Sequence, residues 1–246
     1  MKLSVIIPAY NESDNLKKGV LDDLADYLDK NLKNYEAIIV DDGSSDNTIN
    51  LVQDFTKKNS KFRLIRNNHG GKAIAVMTGL LNSNGDIGLF TDMDQATPIS
   101  EAHKLLQYLD KGYDIAIGSR SGRKGAPLIR KLMAFGFGLI RTIILGLPFK
   151  DTQCGFKAFN RQSINEIFPD LLKRWHKHLE KKGAAVNAAF DVETLFIAKK
   201  KGFRIKEVGV EWHHVGSERV QVIRDSLEAV IDILKIRIND ILGLYS

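Results

Sequence analysis

Two acidic clusters, Asp41-Asp42 and Asp92-Met93-Asp94, each directly follow an apolar run, Ala37-Ile38-Ile39-Val40 and Gly88-Leu89-Phe90-Thr91. Such runs read as buried strands, and ligands bind where the strands of a parallel sheet end. Several carboxylates gathered along one sheet edge repel one another. A divalent cation shared with a diphosphate relieves that repulsion, because Mg²⁺ or Mn²⁺ takes one or two carboxylates together with phosphate oxygens and water. The chemistry this pattern implies is the holding of an activated, phosphorylated donor.

Two further segments extend that edge, and the acidic clusters themselves carry more. Ile7-Pro8-Ala9-Tyr10-Asn11-Glu12 closes the first strand and sets an aromatic ring beside a carboxylate and open backbone amides. This suits stacking on a base and hydrogen bonding to a ribose or base edge; the competing reading is a strand-to-helix turn in which Pro8 and Asn11 serve backbone geometry alone. In Asp41-Asp42-Gly43-Ser44-Ser45-Asp46-Asn47-Thr48 the two adjacent carboxylates exceed what a turn and a helix cap need, and Asp42 is the better candidate for the base or ribose. Asn67-Asn68-His69-Gly70-Gly71-Lys72 opens a helix without P-loop spacing. Its glycines allow close backbone approach and its helix start favours anions, so Lys72 is a candidate phosphate contact and His69 a loop residue. In Thr91-Asp92-Met93-Asp94-Gln95-Ala96-Thr97-Pro98 the alternation of Asp92 and Asp94 lets both face one cation, or divides metal and sugar between them. The bland alternative is that both merely cap the helix starting near Ser100.

The elements that must position these groups alternate strand and helix: strand 3–7, helix 13–30, strand 36–41, helix 46–58, strand 62–66, helix 71–83, strand 86–91, helix 100–111 and strand 113–118. That order predicts a mostly parallel α/β sheet covered on both faces. Asn11 or Ser13 and Ser45 or Asp46 are candidate N-caps, and Gly112 a helix stop. Beyond Arg120 come a basic loop, an apolar helical stretch ending at Pro148, helices over 163–179 and 190–201, a strand over 204–212 and a long amphipathic helix over 220–241. One domain is expected over 1–246, residues 1–120 forming a nucleotide-binding half and 121–246 an acceptor-side half.

At 246 residues and 43% hydrophobic content, one α/β domain with a sizeable core is feasible. Cys154 is the single cysteine, which fits a reducing compartment, with the cytoplasm as default. Residues 1–10 lack the basic and long apolar regions of a secretory signal. No run reaches the roughly 18 to 20 apolar residues of a membrane span; the nearest, 132–149, is interrupted by Arg141. The net charge of +6 permits attraction to anionic lipid or nucleic acid without deciding either.

Taken together, these residues resemble the inverting nucleotide-sugar glycosyltransferases of family 2, which have the GT-A fold. The resemblance covers nearly the whole chain: Pro8-Ala9-Tyr10-Asn11-Glu12, Asp41-Asp42-Gly43-Ser44, Asp92-Met93-Asp94, Gly118-Ser119-Arg120 and Asp151-Thr152-Gln153-Cys154-Gly155-Phe156-Lys157. The last two segments are similar to those of polyprenyl-phosphate sugar transferases. With Phe190-Asp191-Val192-Glu193 and Trp212 they look most like the dolichyl-phosphate β-glucosyltransferase branch, the dolichyl-phosphate mannose synthases being the neighbouring alternative. The resemblance implies that Pro8, Tyr10, Glu12 and Asp42 hold the nucleotide, Asp92 the ribose or sugar side, and Asp94 the metal. Two departures stand out. Ala96 occupies the place of a Gln found in mannose synthases, with Gln95 one residue earlier, and the late loop reads His213-His214-Val215-Gly216-Ser217-Glu218-Arg219, with Arg219 in place of a Lys.

Arg120, Arg123, Lys124, Arg130 and Lys131 adjoin the apolar stretch ending at Pro148, a combination expected either of an interfacial helix with a cationic rim or of a buried helix with a solvated basic flank. With the resemblance, a peripheral association with the cytoplasmic face of a membrane is implied. Ser119, Arg120 and Arg130 then become candidates for the acceptor phosphate. The apolar stripe of 220–241 reads first as core packing, with membrane contact or dimerisation as alternatives. Asp151 begins the segment joining the basic patch to the sheet edge and is the first candidate for the carboxylate nearest the acceptor; Asp191 is the second. The pairs His176/His178 and His213/His214 lack the partners of a zinc site, and Cys154 reads as a packing residue.

The implied reaction is inverting transfer of a hexose from a nucleotide diphosphate sugar, UDP-glucose before GDP-mannose, to a polyprenyl or dolichyl phosphate. Three alternatives are weaker. A nucleotidyltransferase needs a Gly-rich basic loop after the first strand, which is absent. A non-enzymatic nucleotide-sugar or lipid-binding module is told apart by its lack of metal-dependent nucleotide release. Nucleic-acid binding ranks last, because the basic residues adjoin aliphatics rather than a series of exposed aromatics.

Overall fold

In the computed structural model, which describes residues 2–120, 128–182, 189–213 and 222–245 (backbone alone in 128–135, 178–182 and 222–228), Leu3–Ala9 forms β1 with every side chain buried. A strand apolar on both sides belongs in the middle of a sheet covered on both faces. Around it lie β2 (Tyr35–Asp41), β3 (Phe62–Arg66), β4 (Ile87–Phe90), β5 (Ile115–Arg120), β6 (Lys157–Asn160) and β7 (Ile205–Val210), in the order β3-β2-β1-β4-β6-β5-β7. This one sheet draws strands from both halves of the sequence. Ile6, Ile38 and Phe90 point to one face, against α4 (Lys72–Leu81), α7 (Arg161–Lys182), α8 (Ala189–Lys200) and parts of α6 (Leu128–Leu145) and α9 (Val222–Ile241). Val5, Ile7 and Leu89 point to the other, against α2 (Val20–Asn31), α3 (Thr48–Lys58) and α5 (Ala102–Asp110).

Three differences from the sequence expectations have local causes. The helix expected over 13–30 is two, α1 (Ser13–Lys17) and α2, because Gly19 takes a left-handed φ of 84° between them. The N-cap positions of α1 and α3 fall on Glu12 and Asn47, without side-chain caps. Asn11 and Asp46 instead cross-link the two loops: Asn11 Oδ1 accepts the Ser45 N–H at 2.8 Å and Asp46 Oδ2 the Ser13 N–H at 3.1 Å. The third difference is β6, which sequence reading passed over. β4 is as short, but Ile87–Phe90 is apolar throughout, whereas β6 opens with a lysine and closes with an asparagine and so shows neither a continuous apolar run nor an alternation.

Among the described residues β6 is the only strand that runs antiparallel to its neighbours, β4 and β5, and this places the site. The parallel strands all end at one edge: the register sets Ala9 beside Asp41, and Asp41 beside Arg66. A strand of opposite direction begins where its neighbours finish. Lys157, the first residue of β6, therefore lies beside Phe90 and Ile117, and the Asp151–Phe156 segment arrives at the same edge as Asp92 and Arg120.

Candidate functional site

At the end of β1, the exposed ring of Tyr10 stacks on His69 with centroids 4.3 Å apart and planes inclined by 22°. His69 is held from below, its Nδ1 lying 2.9 Å from Asp42 Oδ2 and 3.0 Å from the Asp42 carbonyl. The Asp42 carboxylate also accepts the backbone N–H groups of Gly70 at 2.9 Å and Gly71 at 2.8 Å. It thus orders the glycine loop that starts α4, as an anion does in a nest of backbone amides. Its neighbour Asp41 gives Oδ2 to the Gly43 and Ser44 amides, while its buried Oδ1 has no hydrogen-bond partner among the described residues. Sequence reasoning ranked Asp42 above Asp41 for the nucleotide; Asp42 is already engaged in its own loops. Pro8 lies buried in β1 beside Val40. Glu12 accepts a hydrogen bond from Asn15 at 2.6 Å, yet burial, with added repulsion from Asp94, Asp92 and Asp46, raises its carboxyl above the ordinary range.

After β4 the chain makes a tight loop around Asp92 and Asp94. Gln95 adopts φ 49°, a conformation uncommon for a side-chain-bearing residue, and spends its amide on the loop: Nε2 donates to the Asp92 carbonyl at 2.8 Å and Oε1 accepts the Ile99 N–H at 3.0 Å. Gln95 therefore shapes the acidic loop. Asp92 pairs with Lys72 at 2.5 Å, both half-exposed. Although burial disfavours its charge, Lys72 is raised by Asp92, Asp191 and Asp94, so its proton is firmly held among them. Asp94 accepts the Ala96 N–H at 3.0 Å; burial, and then the Asp92 charge, raise its carboxyl. Gly155 backs directly onto the Asp92 carboxylate, where an added Cβ would collide with it.

On the β5 side, Arg120 and Asp151 form a two-pronged ion pair, Nε to Oδ2 at 2.6 Å and Nη2 to Oδ1 at 2.9 Å. The Arg120 N–H adds a third bond to Asp151 at 3.1 Å and the Gln153 N–H a fourth, also at 3.1 Å. Burial opposes the Asp151 charge, but the Arg120 guanidinium outweighs it and holds the carboxyl at about 2. Such a group is a poor proton acceptor at neutral pH. The expectation that places Asp151 near the acceptor as an acting carboxylate thus meets one locked to Arg120. The guanidinium lies 5.8 Å from the Trp212 ring; Ser119, the preceding residue of β5, is buried. Asp191 pairs at 2.6 Å with Lys157, which is itself fully buried and also donates to the Cys154 carbonyl at 2.5 Å. Cys154 is buried and free, as a packing residue would be. Arg123, Lys124, His214, Glu218 and Arg219 lie outside the described residues, as do the side chains of Arg130, Lys131 and His178.

One strand-end edge therefore carries an acidic loop, a stacked ring pair and three salt-bridged pairs. Among the described residues no three His, Cys, Asp or Glu side chains converge as a metal cage. Asp92 and Asp94, with Asp94 uncomfortable in its ionised form, instead fit the open mode in which Mg²⁺ or Mn²⁺ takes one or two carboxylates and completes its shell with phosphate and water. Sequence reasoning missed Lys157, Glu207 and Arg141 as organisers of this edge. The available signal was a lone charge inside an apolar segment, Arg141 in 132–149 and Lys157 between Phe156 and Ala158.

Residues 4–168 match the family model described as Glycosyl transferase family 2. The chain is 35% identical over 262 residues to the dolichyl-phosphate beta-glucosyltransferase of Dictyostelium discoideum, covering 99% of this chain and 76% of that protein. It is 34% identical over 266 residues to the enzyme of the same description in Saccharomyces cerevisiae, again over 99% of this chain and 76% of the relative. Among solved structures it resembles glucosyl-3-phosphoglycerate synthase of Mycobacterium tuberculosis in complex with Mn²⁺, UDP and glucosyl-3-phosphoglycerate, with TM-score 0.62 and 18% identity, covering 96% of this chain and 79% of that one. At that identity the likeness shows a shared fold, the α/β GT-A architecture.

Proposed function

Since the chain belongs to glycosyl transferase family 2 and is a glycosyltransferase, we propose that it transfers glucose from UDP-glucose, with inversion, to the phosphate of a dolichyl or other polyprenyl phosphate at a membrane surface. The observation that carries this reading is that the Asp92–Asp94 loop and the Arg120–Asp151 pair stand at one sheet edge: carboxylates suited to a cation-bound diphosphate share it with a guanidinium suited to a second phosphate. The descriptions of the Dictyostelium and yeast relatives supply the glucosyl and dolichyl-phosphate terms.

In this reading Tyr10 and His69 offer a stacking surface to the base, and Asp42 fixes His69 and the glycine loop beneath it. Asp94, with Asp92, would hold Mg²⁺ or Mn²⁺, which supplies neutralisation of the charge that grows on the departing diphosphate. Lys72 adds a fixed positive charge on the same side. Arg120 keeps N–H groups beyond the two given to Asp151, and a phosphate oxygen of the acceptor can take them. That oxygen attacks the anomeric carbon from the side opposite the nucleotide; the bond from that carbon to the diphosphate oxygen breaks, and its electron pair leaves with UDP. A phosphate monoester, with its second pKa at about 6, is largely ionised at neutral pH and needs no general base. Asp151 then serves best as the anion that aims Arg120, and Asp191 as the partner that seats buried Lys157 below the site.

The test incubates the protein with labelled UDP-glucose, other UDP-sugars and GDP-mannose, a short polyprenyl phosphate, and either metal. Formation of a β-glucosyl phosphoryl lipid from UDP-glucose is expected; product from GDP-mannose alone would overturn the donor assignment. Asp94→Asn should lower kcat by roughly a hundredfold or more. An unchanged kcat in a folded variant would remove Asp94 from the cation site.

A further inference from the structure

Arg141 is the charge that interrupts the longest apolar run of the chain, and only 2% of it is exposed. It projects from α6 into the 147–152 turn, where Nη1 donates to Thr152 Oγ1 at 3.0 Å, Nη2 to the Phe149 carbonyl and Nε to the Leu147 carbonyl at 3.4 Å. The guanidinium also lies 5.7 Å from the Phe137 ring. None of these hydrogen bonds goes to a carboxylate. Burial works against the Arg141 charge more than the Glu207 and Asp151 carboxylates restore it. Burying an ion without a bonded counter-ion is unfavourable, and filling space would need only an apolar side chain. What the guanidinium adds is a fixed fork of donors that gathers three acceptors of one turn.

The far side of the turn is held as firmly. Glu207 of β7 accepts the Lys150 N–H at 3.0 Å and the Asp151 N–H at 2.7 Å. The backbone at Asp151 is thus gripped between Arg141 on α6 and Glu207 on β7, and the Asp151 carboxylate grips Arg120. We propose that Arg141 is a positioning residue of the transfer reaction, which holds the 147–152 turn against β7 so that Asp151 presents the Arg120 guanidinium to the acceptor phosphate. The proposal rests on the acceptor-side role given to Arg120 above. Arg141 touches no substrate and acts through Asp151.

The experiment compares Arg141→Met, Arg141→Lys and Thr152→Val with the wild type in two measurements. The first is amide hydrogen exchange at Lys150 and Asp151, with Gly118, bonded to the Phe156 carbonyl at 2.8 Å within the sheet, as internal reference. The second is steady-state transfer with donor and acceptor varied separately. Faster exchange at 150 and 151 with Gly118 unchanged is expected in Arg141→Met. The acceptor kcat/KM should drop by roughly ten- to a hundredfold while the donor KM stays within about twofold, as displacement of a positioning group by about 1 Å predicts. Arg141→Lys should recover part of the loss. Thr152→Val, which removes one acceptor and leaves the buried cation in place, should show a smaller loss of the same kind and guards against misfolding of Arg141→Met. Unchanged acceptor kinetics in folded variants, or equal losses for donor and acceptor, would overturn the proposal. If the wild type transfers to no polyprenyl phosphate, the acceptor reading fails alone; unchanged exchange at 150 and 151 would then overturn the hold of Arg141 on the turn, and faster exchange would uphold it.

Discussion

Asp94 and Asp151 are both half-hidden aspartates at the same sheet edge, and their surroundings drive their proton affinities apart. Burial and the Asp92 charge raise Asp94, while Arg120 keeps Asp151 at about 2. The two shifts have opposite consequences for folding. A raised folded-state carboxyl favours the native state at low pH, and that advantage is lost as pH rises through its folded value; at neutral pH the ionised Asp94 opposes folding. Asp94→Asn should therefore melt at a higher temperature than the wild type at pH 7 without added metal, yet gain nothing from Mn²⁺ with UDP, which should raise the wild-type Tm. A lower Tm for the variant would refute this balance. For Asp151 the sign reverses: its stabilisation is present above its unfolded value of 3.8 and disappears as pH falls toward about 2. With its side chain only 13% exposed, that stabilisation is worth about 2 kcal/mol. The stability gap between wild type and Asp151→Asn, measured by denaturant unfolding, should narrow by this amount between pH 4 and pH 2. A constant gap would mean that the ion pair is not formed in solution. The sequence pointed to Asp94 by its place after an apolar run and to Asp151 by its place at the start of the segment that joins the basic patch to the sheet edge. It could not show that Asp42 is occupied by Gly70, Gly71 and His69 while one oxygen of Asp41 has no partner among the described residues, because that depends on a loop from another strand.

Apolar runs and amphipathic segments made the parallel strands and most helices legible as elements. The antiparallel β6 was not, although it decides the site: it is no shorter than β4, but a lysine opens it and an asparagine closes it, so it shows no continuous apolar run, and its strand character comes from being wedged between β4 and β5. Its position explains why Gly155 stands two residues before it. The turn entering β6 crosses the Asp92 carboxylate so closely that only a residue without a Cβ leaves that group in place. In Gly155→Ala the atoms in the way belong to the free end of a side chain rather than to backbone, so the sheet survives and Asp92 moves off Lys72. Circular dichroism and Tm should stay near wild type while kcat falls roughly a hundredfold, the scale expected for a misplaced site group. Wild-type turnover in Gly155→Ala would show that the placement of Asp92 is not critical.

Over the whole molecule, aliphatic side chains remain in solvent on one pair of packed helices. Leu139 and Ile143 on α6 are 50% and 74% exposed, and Ile231, Leu234 and Ile238 recur along α9 at helical spacing, on the side away from buried Ile233 and Ile236. No helix among the described residues is long and apolar enough to cross a membrane. A surface of this kind matches the proposed lipid acceptor if it rests on the bilayer with its aliphatics in the headgroup region, near the turn carrying Asp151. Among the described side chains of α9, Lys235 and Arg237 are paired with Asp232 and Asp240 and add little to such contact. Each isoleucine, if buried in lipid, adds up to about 2 kcal/mol. Ile143→Ser and Ile238→Ser should therefore each weaken sedimentation with phosphatidylcholine vesicles by roughly tenfold, with losses that add for these separate positions. Both variants should keep wild-type transfer to a water-soluble short-chain acceptor in detergent-free buffer, since neither side chain touches the strand-end edge. Vesicle binding indifferent to both substitutions would exclude this face as the membrane contact.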